Sequence, residues 1–100
     1  MVNHIVMWKF KEEVKEEEKG KLAEEMAIHL EGLVGKVPGL KSAKFVRMPL
    51  SSSTHDMALV TTLEKKEDVA VYASHPDHVH VADTYVRPYV KERACLDYEE

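Results

Sequence analysis

Histidine is the side chain best suited to proton transfer or metal ligation near neutral pH, and here it is unevenly spread. Of the six histidines, three fall in one short stretch, His75-Pro76-Asp77-His78-Val79-His80. Such a stretch offers two chemistries. One imidazole can act as a general base; several together can ligate a transition metal. His75 and His78 are three residues apart, with His4, His55 and His80 as further donors. Pro76 disturbs the helical register that would put His75 and His78 on one face, and no HExxH or CxxC pattern accompanies them. No metal site and no cofactor are therefore expected. The lone cysteine, Cys95, lies in an apolar, strand-like stretch. It reads as a buried small hydrophobe rather than a nucleophile.

The elements that must position these residues follow from periodicity. Val2 to Phe10 is β-branched and aromatic, with His4, Val6, Trp8 and Phe10 on one parity and Ile5, Met7 and Lys9 on the other. This is a strand apolar on both faces. From Glu16 the period changes: Leu22, Met26, Leu30 and Leu33 form the stripe of an amphipathic helix. Glu16, Glu17 and Glu18 suit its N-terminal dipole, Gly35 its C-terminal cap, and Pro38-Gly39 stops it. Leu40 to Met48 and His55 to Leu63 read as strands around a polar loop. Lys66 to Ser74 is a short helix with Val69, Tyr72 and Ala73 inward, and Asp77 to Tyr85 continues helically past Pro76. Tyr89 to Tyr98 closes the chain as a strand, with Val90, Ala94, Leu96 and Tyr98 on one parity and Cys95 on the other.

The order β-α-β-β-α-β is the ferredoxin-like α+β arrangement, a four-stranded antiparallel sheet with helices on one face. The opposite face would be open, yet the first strand is apolar on both sides. An exposed apolar sheet of several hundred Å² is unusual on a monomer. A second copy packing sheet to sheet would cover it, so a homodimer forming an α+β barrel is expected.

Composition narrows the partners. One hundred residues, 44% apolar and 32% charged, make one globular domain spanning residues 1–100. The net charge of −4, with bases interleaved among acids, argues against nucleic acid. The Lys9 to Lys21 run is mostly glutamate, a loop and a solvated helix face. No apolar stretch approaches the ~18 residues of a membrane span, no signal peptide is evident, and one cysteine precludes an internal disulfide. A cytoplasmic location is expected.

Several segments carry a resemblance over the whole chain. They are His4-Ile5-Val6-Met7-Trp8-Lys9-Phe10, Val37-Pro38-Gly39-Leu40, His55-Asp56-Met57-Ala58-Leu59-Val60, Tyr72-Ala73-Ser74-His75-Pro76-Asp77-His78-Val79, and Asp97-Tyr98-Glu99. In order and spacing they resemble the stress-responsive A/B barrel (Dabb) family of dimeric α+β barrels. Tyr-x-x-His-Pro-x-His is the most specific element. The resemblance implies a ferredoxin-like protomer and a barrel-forming dimer. In one plant branch, olivetolic acid cyclase, it also implies cofactor-free aldol closure of a polyketide. The branch's functional histidine, tyrosine and second histidine match His4, Tyr72 and His78. Its long helix carries bulky aromatics toward the pocket, whereas this one offers Leu22, Ala23 and Met26.

Two readings follow, besides an assembly protein whose dimers build rings. The first is a dimer that binds a small apolar ligand between sheet and helices, walled by Val6, Trp8, Leu22, Met26 and His75. The alternative is a cofactor-independent cyclase-, lyase- or monooxygenase-like enzyme using His4, Tyr72 and His78. A partly buried imidazole could be the base and a tyrosine hydroxyl could donate to a developing enolate. A cavity reached by both His4 and His78 would favour the enzyme; a filled interior would not.

Overall fold

The computed structural model describes all residues from Met1 to Glu100. Strand β1 (Val2–Phe10) leads into helix α1 (Glu16–Glu31), then strands β2 (Leu40–Val46) and β3 (Met57–Leu63). Helices α2 (Glu67–Ser74) and α3 (Pro76–Val81) follow, and strand β4 (Val90–Glu99) ends the chain. All strand pairs are antiparallel and the sheet order is β2-β3-β1-β4. This is the ferredoxin-like arrangement the element order predicts.

Strand β1 alternates as its sequence demands. Val2, His4, Val6, Trp8 and Phe10 are buried beneath the helices, while Asn3, Ile5, Met7 and Lys9 face the uncovered side. Above them α1 contributes Ala23, Met26 and Leu30, packed with Leu33, Leu40, Phe45, Leu59 and Leu63 in one core. The helix begins with Glu16, Glu17 and Glu18 at its positive end, and Glu18 accepts from the backbone N–H of Lys15 at 3.3 Å. Its regular turns stop at Glu31, earlier than the Gly35 expected from sequence. A run of turns follows in which the Leu33 carbonyl accepts from both Lys36 and Val37, and Gly35 takes φ +92° there. Gly39 (φ +85°) is required outright. A Cβ there would lie 2.5 Å from the carboxylate of Asp68, which is itself needed to accept from the Lys65 N–H at 3.1 Å.

Two irregularities shape the other end of the sheet. After α3 the chain widens into a π-helical segment, Ala82–Val86, and then tightens into a 3₁₀ turn, Arg87–Tyr89. Such widening displaces side chains from the regular helical stripe. In β4 the pairing with β1 shifts between Lys9↔Lys91 and Met7↔Ala94, so Glu92 and Arg93 together oppose Trp8. This is a β-bulge, with Glu92 at φ 51°. It overturns the uniform parity read from sequence. Val90, opposite Phe10, lies on the helix side; Ala94, Leu96 and Tyr98, opposite Met7, Ile5 and Asn3, lie on the open side. The bulge also carries Cys95 to the helix-side edge, where it is exposed rather than buried.

The open face is apolar where β1 meets β4. Met7, Leu96 and Tyr98 are 37%, 62% and 44% exposed, which is high for large hydrophobic side chains. No helix is long and apolar enough to cross a membrane.

Candidate functional site

A cavity of about 350 Å³ lies between β1 and the chain from α2 to the start of β4. Val6, Trp8, Leu30, Leu59, Ala82, Val86 and Val90 supply its apolar walls, and His4, Tyr72 and His78 its polar groups near the sheet. Of the wall residues expected from sequence, Val6 and Trp8 line it and Leu22, Met26 and His75 do not. Met26 is completely covered in the core, and Leu30, one turn later on α1, reaches the cavity in its place. Leu22 sits with Val14, Pro88 and Tyr89 at a separate surface depression. His75 is occupied by the backbone: it caps α3, its Nδ1 accepting from the Asp77 N–H at 3.1 Å, ahead of Pro76 in the first turn.

The three polar groups meet through Tyr72. Its ring stands edge-on to His4, with centroids 5.9 Å apart, and tilts against His78 at 4.3 Å. The phenol is buried and its oxygen has no hydrogen-bond partner. Burial pushes its pKa up to about 12, so it is a proton donor at any physiological pH. A buried donor without an acceptor is costly in a finished core; in a cavity wall it is available to an incoming oxygen.

Each imidazole is anchored through one nitrogen. His78 Nδ1 lies 3.1 Å from the Ala73 carbonyl, which can only accept, so Nδ1 carries the proton. In the neutral ring Nε2 then holds the lone pair. Burial lowers the His78 pKa, Arg87, His4 and Arg93 push it the same way, and the Ala73 carbonyl opposes them. The side chain therefore stays neutral at pH 7. His4 is anchored by the Asp97 carboxylate, which accepts from its Nδ1 and likewise leaves Nε2 free when the ring is neutral. His4 is 7% exposed, and its backbone carbonyl accepts from the Thr61 hydroxyl at 2.9 Å.

Asp97 escaped assignment from the sequence. Its place depends on the bulge, because only a shifted β4 sets Asp97 beside His4. The signal was present only as part of the terminal Asp97-Tyr98-Glu99 resemblance. Cys95 joins this group, its Sγ 3.7 Å from both His4 Nδ1 and the Asp97 carboxylate. These three donor atoms lie within 4.8 Å of one another and are the set close enough to share a metal ion, in contrast to the His75 and His78 pair considered from sequence. Their contacts are mutual hydrogen bonds, and burial and the Asp97 charge raise the thiol pKa, which favours the protonated form over a thiolate ligand.

A ferredoxin-like protomer with one apolar sheet face uncovered, and a His/Tyr/His cavity under the other, defines a narrow class. The chain matches the family model described as the stress responsive A/B barrel domain over residues 2–100, and it belongs to that family. A dimeric protein of unknown function with a ferredoxin-like fold from Bacteroides fragilis is 29% identical, with a TM-score of 0.89 over 99% of this chain and 95% of that one. A protein from Arabidopsis thaliana is 24% identical, with a TM-score of 0.74 over 100% and 95% of the two chains. A hydroxynitrile lyase from Passiflora edulis is 16% identical, with a TM-score of 0.68 over 97% and 90%. The last two likenesses are of fold alone. No curated protein matches the chain.

Proposed function

We propose that the chain forms a homodimer through its open sheet face, and that each cavity takes a small, largely apolar carbonyl compound on which His78, Tyr72 and His4 move a proton without a cofactor. The observation that carries this reading is the buried Tyr72 hydroxyl, without a partner, between two imidazoles each tied back through Nδ1. His78 Nε2 takes a proton from the carbon next to the carbonyl. The C–H electron pair moves into the enolate, and Tyr72 donates a hydrogen bond to its oxygen. His4, fixed by Asp97, is the second acceptor in the cavity. The imidazolium of His78 afterwards returns its proton to carbon or to a leaving oxygen. Apolar walls exclude water and strengthen these contacts. The dimer part is supported by the exposed Met7, Leu96 and Tyr98 and by relatives described as dimeric.

The test is hydrogen exchange at carbon. Aryl alkyl ketones that native mass spectrometry shows bound to the purified protein are incubated with it in D₂O, and loss of the α-proton signal is followed by NMR. The expected result is exchange faster than buffer and lowered at least about 100-fold in His78→Gln. Ketones that bind but exchange only at the buffer rate would leave a binding protein without catalysis.

A further inference from the structure

The mouth of the cavity is as distinctive as its interior. Arg87, Lys91, Glu92 and Arg93 all line it, three cations against one anion in a protein whose net charge is −4. Most of that charge is already spoken for. Arg87 pairs with Asp83, Lys91 lies 3.1 Å from Glu12 and 3.9 Å from Glu92, and Glu92 lies 3.4 Å from Lys9. Asp97, the remaining acid near the site, is held by His4. Arg93 is left. The other two arginines, Arg47 and Arg87, have carboxylate partners, and Arg93 has none.

Its placement is built into the fold. The bulge that sets Glu92 and Arg93 together opposite Trp8 brings a guanidinium to the rim of a largely apolar cavity. Its positive charge disfavours protonation of His78, and its one neighbour of hydrogen-bonding kind is the neutral Cys95 thiol, which leaves the charge uncompensated. An arginine fork is shaped to take a carboxylate in two parallel hydrogen bonds. Beside apolar walls that pairing is screened less than at an open surface.

We infer that the cavity selects a ligand with an apolar body and a carboxylate, the body lying against Val6, Trp8 and Val86 and the carboxylate meeting Arg93 at the rim. The inference rests on reading the cavity as a ligand site and adds the ligand's charge. Such a ligand enters oriented: the carboxylate stays at the mouth and the opposite end points toward Tyr72 and His78.

Trp8 is the sole tryptophan and lines the cavity, so its emission reports occupancy. Octanoate and octanamide, alike in shape and different in charge, are titrated separately into the full-length protein and into Arg93→Gln, with sedimentation run on both. Octanoate should bind about tenfold tighter than octanamide, and the preference should shrink with added salt. Arg93→Gln should abolish it by weakening octanoate far more than octanamide, with the sedimentation coefficient unchanged. Equal affinities in the wild type overturn the inference and leave the cavity reading standing. If neither ligand shifts Trp8 emission, the cavity reading fails, and this inference with it. A preference that survives in Arg93→Gln, or a variant that sediments as a smaller species, takes the carboxylate contact away from Arg93 and overturns the assignment.

Discussion

The space between sheet and helices is finished differently at its two ends. Beneath α1 it is solid: Met26 and Leu63 have no accessible surface, Leu33 almost none, and the neighbours are aliphatic or aromatic. Beneath α2, α3 and the π segment it is hollow, and two imidazoles and a phenol stand among the apolar side chains around the hollow. One sheet face thus supports two kinds of environment. The helix with a regular stripe fills its share of the interior. The interrupted helical stretch, broken at His75-Pro76 and widened at Ala82–Val86, does not. The first region is closed by apolar side chains alone, and the imidazoles and the phenol collect in the second.

Substitutions at the two ends should have unequal effects. The largest effect belongs to the solid end. Met26→Ala empties a fully covered site and should cost about 2–5 kcal/mol, read by urea denaturation with an unchanged m-value. A similar cost from Val86→Ala at the cavity would erase the difference between the ends, because truncating a side chain that already borders a void should cost less. Next comes the uncovered face. Leu96→Lys puts a charge at the centre of the apolar strip beside Ile5. It should convert a dimer near twice 11.4 kDa to monomer in sedimentation at micromolar concentration, with far-UV circular dichroism unchanged. A wild type that sediments as a monomer contradicts the reading of that face.

Smaller effects sharpen the picture at the hollow end. Asp97→Asn should cost no more than about 1 kcal/mol, because the Asp97 side chain is 43% exposed and its pairing with His4 is partly solvated. The smallest effect is a pH slope. The His78 pKa lies below its ordinary 6.5 in the fold, from burial first and from Arg87, His4 and Arg93. The unfolded chain therefore binds more protons as pH falls below about 6.5, and stability drops there until the folded-state pKa is passed. Thermal melts of His78→Gln between pH 7 and 5 should show a shallower decline than wild type.

Much of this was legible in the chain and some was not, for physical reasons. Strand β1 and helix α1 announce themselves because each is governed by a local period, and His4, Val6 and Trp8 fall on the covered face as their parity requires. The cavity's outer wall was not legible. Val90 and Ala94 share a parity in sequence and lie on opposite faces in the fold. The bulge responsible arises from pairing with Trp8, more than eighty positions away in the chain, and no local pattern records it. The same shift hid the partnership of Asp97 with His4 and the rim position of Arg93. On α1 the stripe points to Met26 where Leu30, one turn later, reaches the cavity, because a stripe fixes which face is inward and not where the cavity ends. His75 and His78 look equivalent in His-Pro-x-His; the helix cap claims His75 and leaves His78 at the cavity.

If the hollow end keeps its polar groups for a ligand rather than for the fold, Tyr72→Phe should leave the folded protein intact. The change removes one oxygen that has no partner and keeps the ring between His4 and His78. Equilibrium unfolding in urea should show the variant at least as stable as wild type, by up to about 1 kcal/mol, because an uncompensated buried hydroxyl is relieved. A loss of more than about 1 kcal/mol would mean that the hydroxyl is bonded within the folded protein, and would contradict the account.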